Sequence, residues 1–207
     1  PPSINKSTKE FSVVKNEGHD GIIFGLGAIK GVGGAAIENI IAERDAKGEF
    51  KSMDDFVSRI DPFKVNKKVF ESLIKAGCFD EFGFSRKMLL QNVENIVEAC
   101  KNAAQIRKNA AESLFGEDDS MNDVKINFVT INDEFDIKQI LKFEQESVGI
   151  YLSGHPLDDY KDEINKIKYT LSSEFETLPQ SAEILVVGKI EDFNTRITKS
   201  GKKMGTI

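Results

Sequence analysis

The protein has 207 residues, 40% of them hydrophobic and 30% charged, with 28 Lys and Arg against 34 Asp and Glu for a formal net charge of −6. That is enough apolar material to bury a core in one large or two small domains, which excludes a disulfide-stapled miniprotein and a chain disordered throughout. The acid excess is local, with twelve basic against eleven acidic residues over 1–77, eleven against twenty over 78–182, and five against three over 183–207, so nucleic acid, which needs only a local positive face, is not excluded.

Residues 1–20 open on two prolines and are polar; Phe11, Val13 and Val14 predict a short strand, and the segment reads as the tail of an upstream region. At Gly21 the chain changes to GIIFGLGAIKGVGGAAIENIIAER. Gly25, Gly27, Gly31, Gly33 and Gly34 alternate with apolar residues, and Ile37, Ile40 and Ile41 then recur at helical spacing, which predicts a short helix, a glycine turn and a second helix. Ser52, with Asp55 three residues on, caps a short helix carrying Phe56, Val57 and Ile60 that Pro62 closes. Asn66 caps the next, whose stripe is Val69, Phe70, Leu73 and Ile74, and Gly77 sits where a left-handed terminal residue is wanted.

From Ser85 to about Ala110 the pattern predicts one long helix, with Leu89, Val93, Ile96, Val97, Cys100, Ala103 and Ala104 inward and Gln91, Glu94, Lys101 and Arg107 solvated. Residues 116–123, GEDDSMND, predict a mobile loop. A helix over Asp136–Ser147 carries Ile137, Ile140 and Leu141 on one face, and SGHPLDDY breaks and restarts a helix around Pro156. Ile184–Ile190 alternates like a strand, and KSGKK leads into Met204–Ile207, predicting a hairpin cut off in its second strand.

The glycines pose the chemical question. Gly25-Leu26-Gly27-Ala28-Ile29-Lys30 has Lys30 where a dinucleotide fingerprint needs its third glycine, and no P-loop sequence is present. A helix-hairpin-helix fits better: Leu26 and Ile29 before a Gly31-Val32-Gly33 turn, Ile37 and Ile40 after it. Glycines admit a close phosphate, the next helix offers free N–H groups and its positive dipole end, and Val32 points inward to lock the two helices. Such a grip ignores base sequence. The competing reading is a tight turn between helices whose glycines serve packing alone. Val69–Phe79 repeats the theme with a single glycine, Gly77, and with Lys67, Lys68 and Lys75 either facing the same DNA or simply solvated.

Cys78 and Cys100 read as small buried hydrophobes, and with His19 and His155 they lack zinc-site spacing, so no metal is expected. His155, before Pro156, reads as a turn residue without a nucleophile partner. No run approaches a bilayer span and the N-terminus lacks a signal-peptide core, so a cytoplasmic protein without membrane contact is expected.

FGLGAIKGVG, NKKVFESLIKAGCFDEF at Asn66–Phe82, and ESVGIYLSGHPLDDY at Glu146–Tyr160, together with the opening PPSIN, resemble in the same order the C-family replicative polymerases, the alpha subunits of bacterial DNA polymerase III. The resemblance implies a mainly α fold, a tandem helix-hairpin-helix domain followed by a truncated OB-like β-hairpin. It divides the chain into the end of the fingers region (1–20), a DNA-binding domain with a clamp-binding peptide (21–123), a helical connector (124–182) and the start of an OB domain (183–207). It places duplex backbone on Lys30, Gly31, Val32, Gly33 and Gly34, with Lys75 and Gly77 as a secondary set beside the candidates Lys67 and Lys68 named above. Many such motifs carry Lys or Arg after the second glycine, where this chain has Gly34-Ala35-Ala36, so the grip falls to backbone N–H groups and Lys30.

The family's clamp-binding peptide, Gln-x-x-[Leu/Met]-Phe, finds its counterpart in Ala111-Glu112-Ser113-Leu114-Phe115, with Ala111 in place of the glutamine. Contact to the sliding clamp is thus expected through Ala111, Ser113, Leu114 and Phe115, the alternative being Phe115 folded back on the helix. Phe193, Arg196, Lys199, Lys202 and Lys203 are candidates for single-strand contact, or else a solvated turn. The implied partners are duplex DNA, the clamp and other replicase subunits. The family's Mg²⁺-binding carboxylates lie in the palm, upstream of residue 1, so neither catalytic residue nor cofactor is assigned and the isolated segment should be inactive. Competing classes are a helix-hairpin-helix repair enzyme of the glycosylase kind, which needs a catalytic Lys or Asp near the hairpin, and a helical scaffold without DNA contact.

Overall fold

The computed structural model of the protein describes residues 1–16, 19–112 and 124–206, with backbone alone for 15, 16, 19, 111 and 112. Its elements run β1 (Ser12–Asn16), β2 (His19–Ile23), a 3-10 turn at Leu26–Ala28, α1 (Gly34–Lys47), α2 (Met53–Arg59), α3 (Lys67–Lys75), α4 (Arg86–Gln91), α5 (Val93–Glu112), α6 (Ile137–Ser147), α7 (Lys161–Ile164), β3 (Asn194–Ile197) and β4 (Lys203–Thr206). The chain is thus mainly helical, with a two-stranded antiparallel hairpin near its C-terminus. It divides into Pro1–Ser153 and Gly154–Ile207.

Caps set the helix starts in the first unit. Ser52 Oγ accepts from Asp55 N–H at 3.1 Å, Asn66 Oδ1 from Val69 N–H at 3.2 Å, Ser85 Oγ from Met88 N–H at 3.1 Å and Asp136 Oδ1 from Gln139 N–H at 2.7 Å; each such cap stabilises by about 1 kcal/mol. The inward faces of α1 to α5 meet in one core in which Phe56 stands at the centre, edge-on to Phe50, Phe70 and Phe79 with ring centroids 4.8, 5.9 and 5.1 Å away. Cys78 and Cys100 are free and buried there, and burial pushes both thiols up, Cys100 to about 12, so both behave as apolar filler.

Residues 4–7 are tied to this core. Ile4 is fully buried and its N–H donates to Cys78 O at 3.0 Å, while Arg44 donates to the carbonyls of Ile4 and Ser7. Asn5 exchanges two hydrogen bonds with the backbone of Phe50. β1 pairs with β2 in antiparallel register, Val13 opposite Ile22.

Two sequence expectations for the first unit need correction. The helix predicted from Ser85 to Ala110 is interrupted at Asn92, which is buried and turned away from helical geometry. Its side chain bridges Met88 O to both the N–H and C=O of Val129, so a polar tie to a distant segment replaces one step of the helix. Arg107, expected in solvent, instead donates to the carbonyls of Ser58 and Ile60, the unpaired end of α2.

In the second unit, Ile184–Ile190 forms no strand. The hairpin is Asn194–Ile197 with Lys203–Thr206, and its register is fixed by the turn in which Gly201 takes φ +77° and Thr198 N–H donates to Lys202 O. His155 is a turn residue as expected, its Nδ1 accepting from Leu157 N–H and its carbonyl from Asp158 N–H.

Candidate nucleic-acid interface

The 3-10 turn Leu26–Ala28, the loop Ile29–Gly33 and α1 form a helix-hairpin-helix. Leu26, Ile29 and Val32 are buried, so Val32 does point inward, while Lys30, Gly31, Gly33, Gly34 and Ala35 are exposed. Gly31 takes φ +88°, and a Cβ there would come within 2.7 Å of Ser72 Oγ on α3, so both backbone conformation and packing demand glycine. Gly33 and Gly34 differ: both have ordinary φ and a Cβ on either would meet nothing within 4 Å. Folding does not require glycine at these two positions.

The start of α1 carries no capping side chain and no acid in its first turn. Among the described residues, the N–H groups of Gly33, Gly34 and Ala35 find no acceptor. They sit at the positive end of a 14-residue helix, open to solvent, beside Lys30, whose side chain has no ion-pair partner among the described residues. The turn is braced from beneath, because Lys30 N–H donates to Ser147 O at 2.8 Å at the end of α6.

The second hairpin is α3, a connection over residues 76–85 that contains a 3-10 turn at Asp80–Phe82, and α4. Its N-terminal lysines diverge in use: Lys67 is tied to Glu94 at 2.6 Å, which holds its ammonium above the ordinary value, whereas Lys68 is exposed and without an ion-pair partner among the described residues. Lys75 is half-buried with its ammonium 5.4 Å from the Phe143 ring centroid. Gly77 is buried at φ +81°, and a Cβ on it would lie 2.3 Å from Arg86 Nη2, so it closes α3 under a guanidinium and presents no surface. Ser72 against Gly31 joins the two hairpins, and Lys68, one turn before Ser72, shares its face of α3.

Sequence reasoning missed the network that fixes this arrangement. Arg86, nearly buried, pairs with Asp80 at 2.7 Å and with the fully buried Glu144 of α6 at 3.2 Å, and reaches Lys75 O. Burial pushes the Glu144 carboxyl up, but donation from Ser153 Oγ–H, Ser153 N–H and Leu152 N–H, together with the Arg86 charge, brings it below its ordinary value. The signal was present, since Glu144 stands four residues after Ile140 and three after Leu141, on the apolar stripe of α6.

Of the predicted clamp peptide, Ser113, Leu114 and Phe115 lie outside the described residues, as do 116–123, and Ala111 and Glu112 are described only as the backbone end of α5. In the C-terminal hairpin, Arg196, Lys199, Lys202 and Lys203 are exposed, and Phe193 is 58% exposed with its ring edge against Gly205. No described helix is long and apolar enough to cross a membrane, and no cluster of three or more His, Cys, Asp or Glu among the described residues is placed to hold a metal.

Residues 1–89 match a family model described as "Helix-hairpin-helix motif". The chain is 52% identical over 207 residues, all of its length, to "DNA polymerase III subunit alpha" of Campylobacter jejuni, 42% over 217 aligned positions to that of Helicobacter pylori strain J99, and 39% over 208 to that of Chlamydia pneumoniae, covering 98% of the chain in the last case. It spans only 17, 18 and 16% of those relatives' lengths. The protein is therefore a homologue of the DNA polymerase III alpha subunits, matching one segment of them along essentially its whole length.

Proposed function

We propose that this chain is a DNA-binding segment of a cytoplasmic replicative polymerase, gripping duplex backbone without regard to sequence. The observation that carries this is the turn at Gly33 and Gly34. The N–H groups of Gly33, Gly34 and Ala35, without acceptors among the described residues, open a helix that has no side-chain cap and no acid in its first turn, two of them on glycines the fold does not need, and such donors suit a phosphate. Lys30 and Lys68 supply charge on either side, while Val32 and Gly31 set the turn rather than touch the ligand. Lys67 and Lys75, held by Glu94 and Phe143, add to the field, and Gly77 shapes the second hairpin from within.

The polymerase activity of the relatives, with Mg²⁺, is proposed for the longer protein and not for these residues. The sliding clamp is proposed as a second partner through Leu114 and Phe115, with Ala111 and Ser113 as the less demanding positions, alongside other replicase subunits. The domain partition is proposed as fingers end, hairpin domain, connector and OB start, with Phe193, Arg196, Lys199, Lys202 and Lys203 as single-strand contacts of the last.

A titration of fluorescent blunt duplexes of unrelated sequence tests the reading. The duplexes should bind with equal affinity, and the logarithm of the binding constant should fall linearly with that of salt, at a slope near −0.9 per phosphate neutralised. A helical scaffold predicts no binding, and a glycosylase-like enzyme predicts cleavage at a damaged base.

A further inference from the structure

Phe63 is 92% exposed, the most exposed large hydrophobic side chain among the described residues. A single exposed apolar residue is ordinary; the way this one is held is not. It stands on the seven-residue connection between α2 and α3 that is anchored by Ile60 and Val65, 0 and 1% exposed. The loop is braced by Asp61, whose side chain accepts from Phe63 N–H at 2.9 Å and whose carbonyl accepts from Lys64 N–H at 3.1 Å and Val65 N–H at 2.9 Å. Asp61 N–H in turn donates to Asn39 Oδ1 at 2.9 Å, fixing the loop against α1 in the second turn after the glycine pair. The ring is thus presented outward from a turn tied to the core on both sides.

Its neighbours are basic. Lys64 follows it directly and Lys68 is the second residue of α3, both exposed and without ion-pair partners among the described residues, and Glu71 is the one acid on α3. Lys68 lies on the face of α3 that leads to Ser72 and the Gly31 turn. Within α3, Lys68 to Ser72 is one helical turn, a rise of ~6 Å, and Phe63 and Lys64 stand on the loop just before it. A duplex backbone gives an aromatic face little to stack on, whereas an unpaired base gives it a π-surface of its own size.

We propose that Phe63, flanked by Lys64 and Lys68, is a stacking platform for unpaired nucleotides of a DNA strand whose duplex part lies on the first hairpin. This rests on the duplex-binding reading above. The ring takes a base of any identity and the two ammonium groups take the phosphates on either side, so the loop adds preference for a duplex–single-strand junction over a blunt duplex.

The test compares the 207-residue protein with its Phe63→Ala and Phe63→Trp variants on a blunt duplex and on the same duplex with a single-stranded overhang. Phe63→Ala should leave the thermal midpoint and blunt-duplex affinity unchanged and weaken overhang binding roughly five- to one-hundred-fold. Phe63→Trp should retain overhang binding. Because the protein has no Trp of its own, emission at that position reports stacking directly, and it should be quenched by the overhang DNA and not by the blunt duplex. Equal binding of overhang DNA by wild type and Phe63→Ala, equal losses on both DNAs, or equal quenching by both overturns the proposal while leaving the duplex reading intact. Failure of the wild type to bind either DNA overturns both.

Discussion

Gly34→Glu separates folding from DNA binding, because the two respond with opposite sign. Gly34 is the first residue of α1, its Cβ position is empty to 4 Å, and the turn it opens has neither acid nor side-chain cap. Replacing glycine in a helix stabilises by about 0.5–1 kcal/mol, and a carboxylate in the first turn adds about 0.3–1 kcal/mol through the dipole. The sum is discounted for an end position to about 1 kcal/mol, which raises the melting temperature by roughly 2–4 °C for a unit of this size. The same carboxylate occupies the space assigned to a phosphate and consumes its N–H donors. Loss of one charge-assisted contact is about 1.5–3 kcal/mol, or roughly ten- to a hundredfold in Kd for duplex DNA. Thermal melting by circular dichroism and anisotropy titration at fixed salt read the two effects on one sample. A variant that is destabilised, or that binds duplex as wild type does, refutes the assignment of the glycine pair to a phosphate.

Further outcomes follow from the same geometry. Glu144→Gln leaves Arg86 with Asp80 as its one ion-pair partner among the described residues and should lower stability by about 3 kcal/mol in urea unfolding. Because the folded-state carboxyl of Glu144 lies below its ordinary 4.5, its contribution is present above pH 4.5 and is lost as pH falls through the folded value, and the variant should lack that acid-side loss. Gly83→Ala and Gly77→Ala both place alanine at left-handed φ, 77° and 81°, but only Gly77 lies against Arg86; the first should cost about 1 kcal/mol and the second at least ~2 kcal/mol, and equal costs would remove Arg86 from the account. Replacing Leu114 and Phe115 together by alanine should abolish capture by the immobilised sliding clamp, and undiminished capture would place that contact elsewhere.

The helices were legible because their determinants are local. Ser52 and Asn66 announced their helices and do cap them, and the stripe at Val69–Ile74 buries the face it indicated, whereas of Ile137, Ile140 and Leu141 only Leu141 is buried and Ile137 is exposed. The hairpin turn was legible for the same reason, since glycine at Gly31 admits the left-handed φ of +88° that the turn takes. Long-range polar ties were not: Asn92 to Val129 and Arg107 to the end of α2 join residues 37 and 47–49 positions apart, and no period in the sequence reports them. Among the glycines, Gly31, Gly33 and Gly77 look alike in sequence, yet one is needed for packing against Ser72, one faces open solvent and one lies under Arg86. Ile184–Ile190 shows the converse failure, an alternating pattern that fits a strand but finds no ladder among the described residues.

Amide hydrogen exchange of the 207-residue chain with and without a blunt duplex tests the central claim most directly. The N–H groups of Gly33, Gly34 and Ala35 have no acceptor in the protein's described residues and should exchange rapidly in the free state. With duplex bound, exchange at these three amides should slow together, whatever the base sequence. Slowing confined to other segments, with these amides unchanged while DNA is bound, would contradict it.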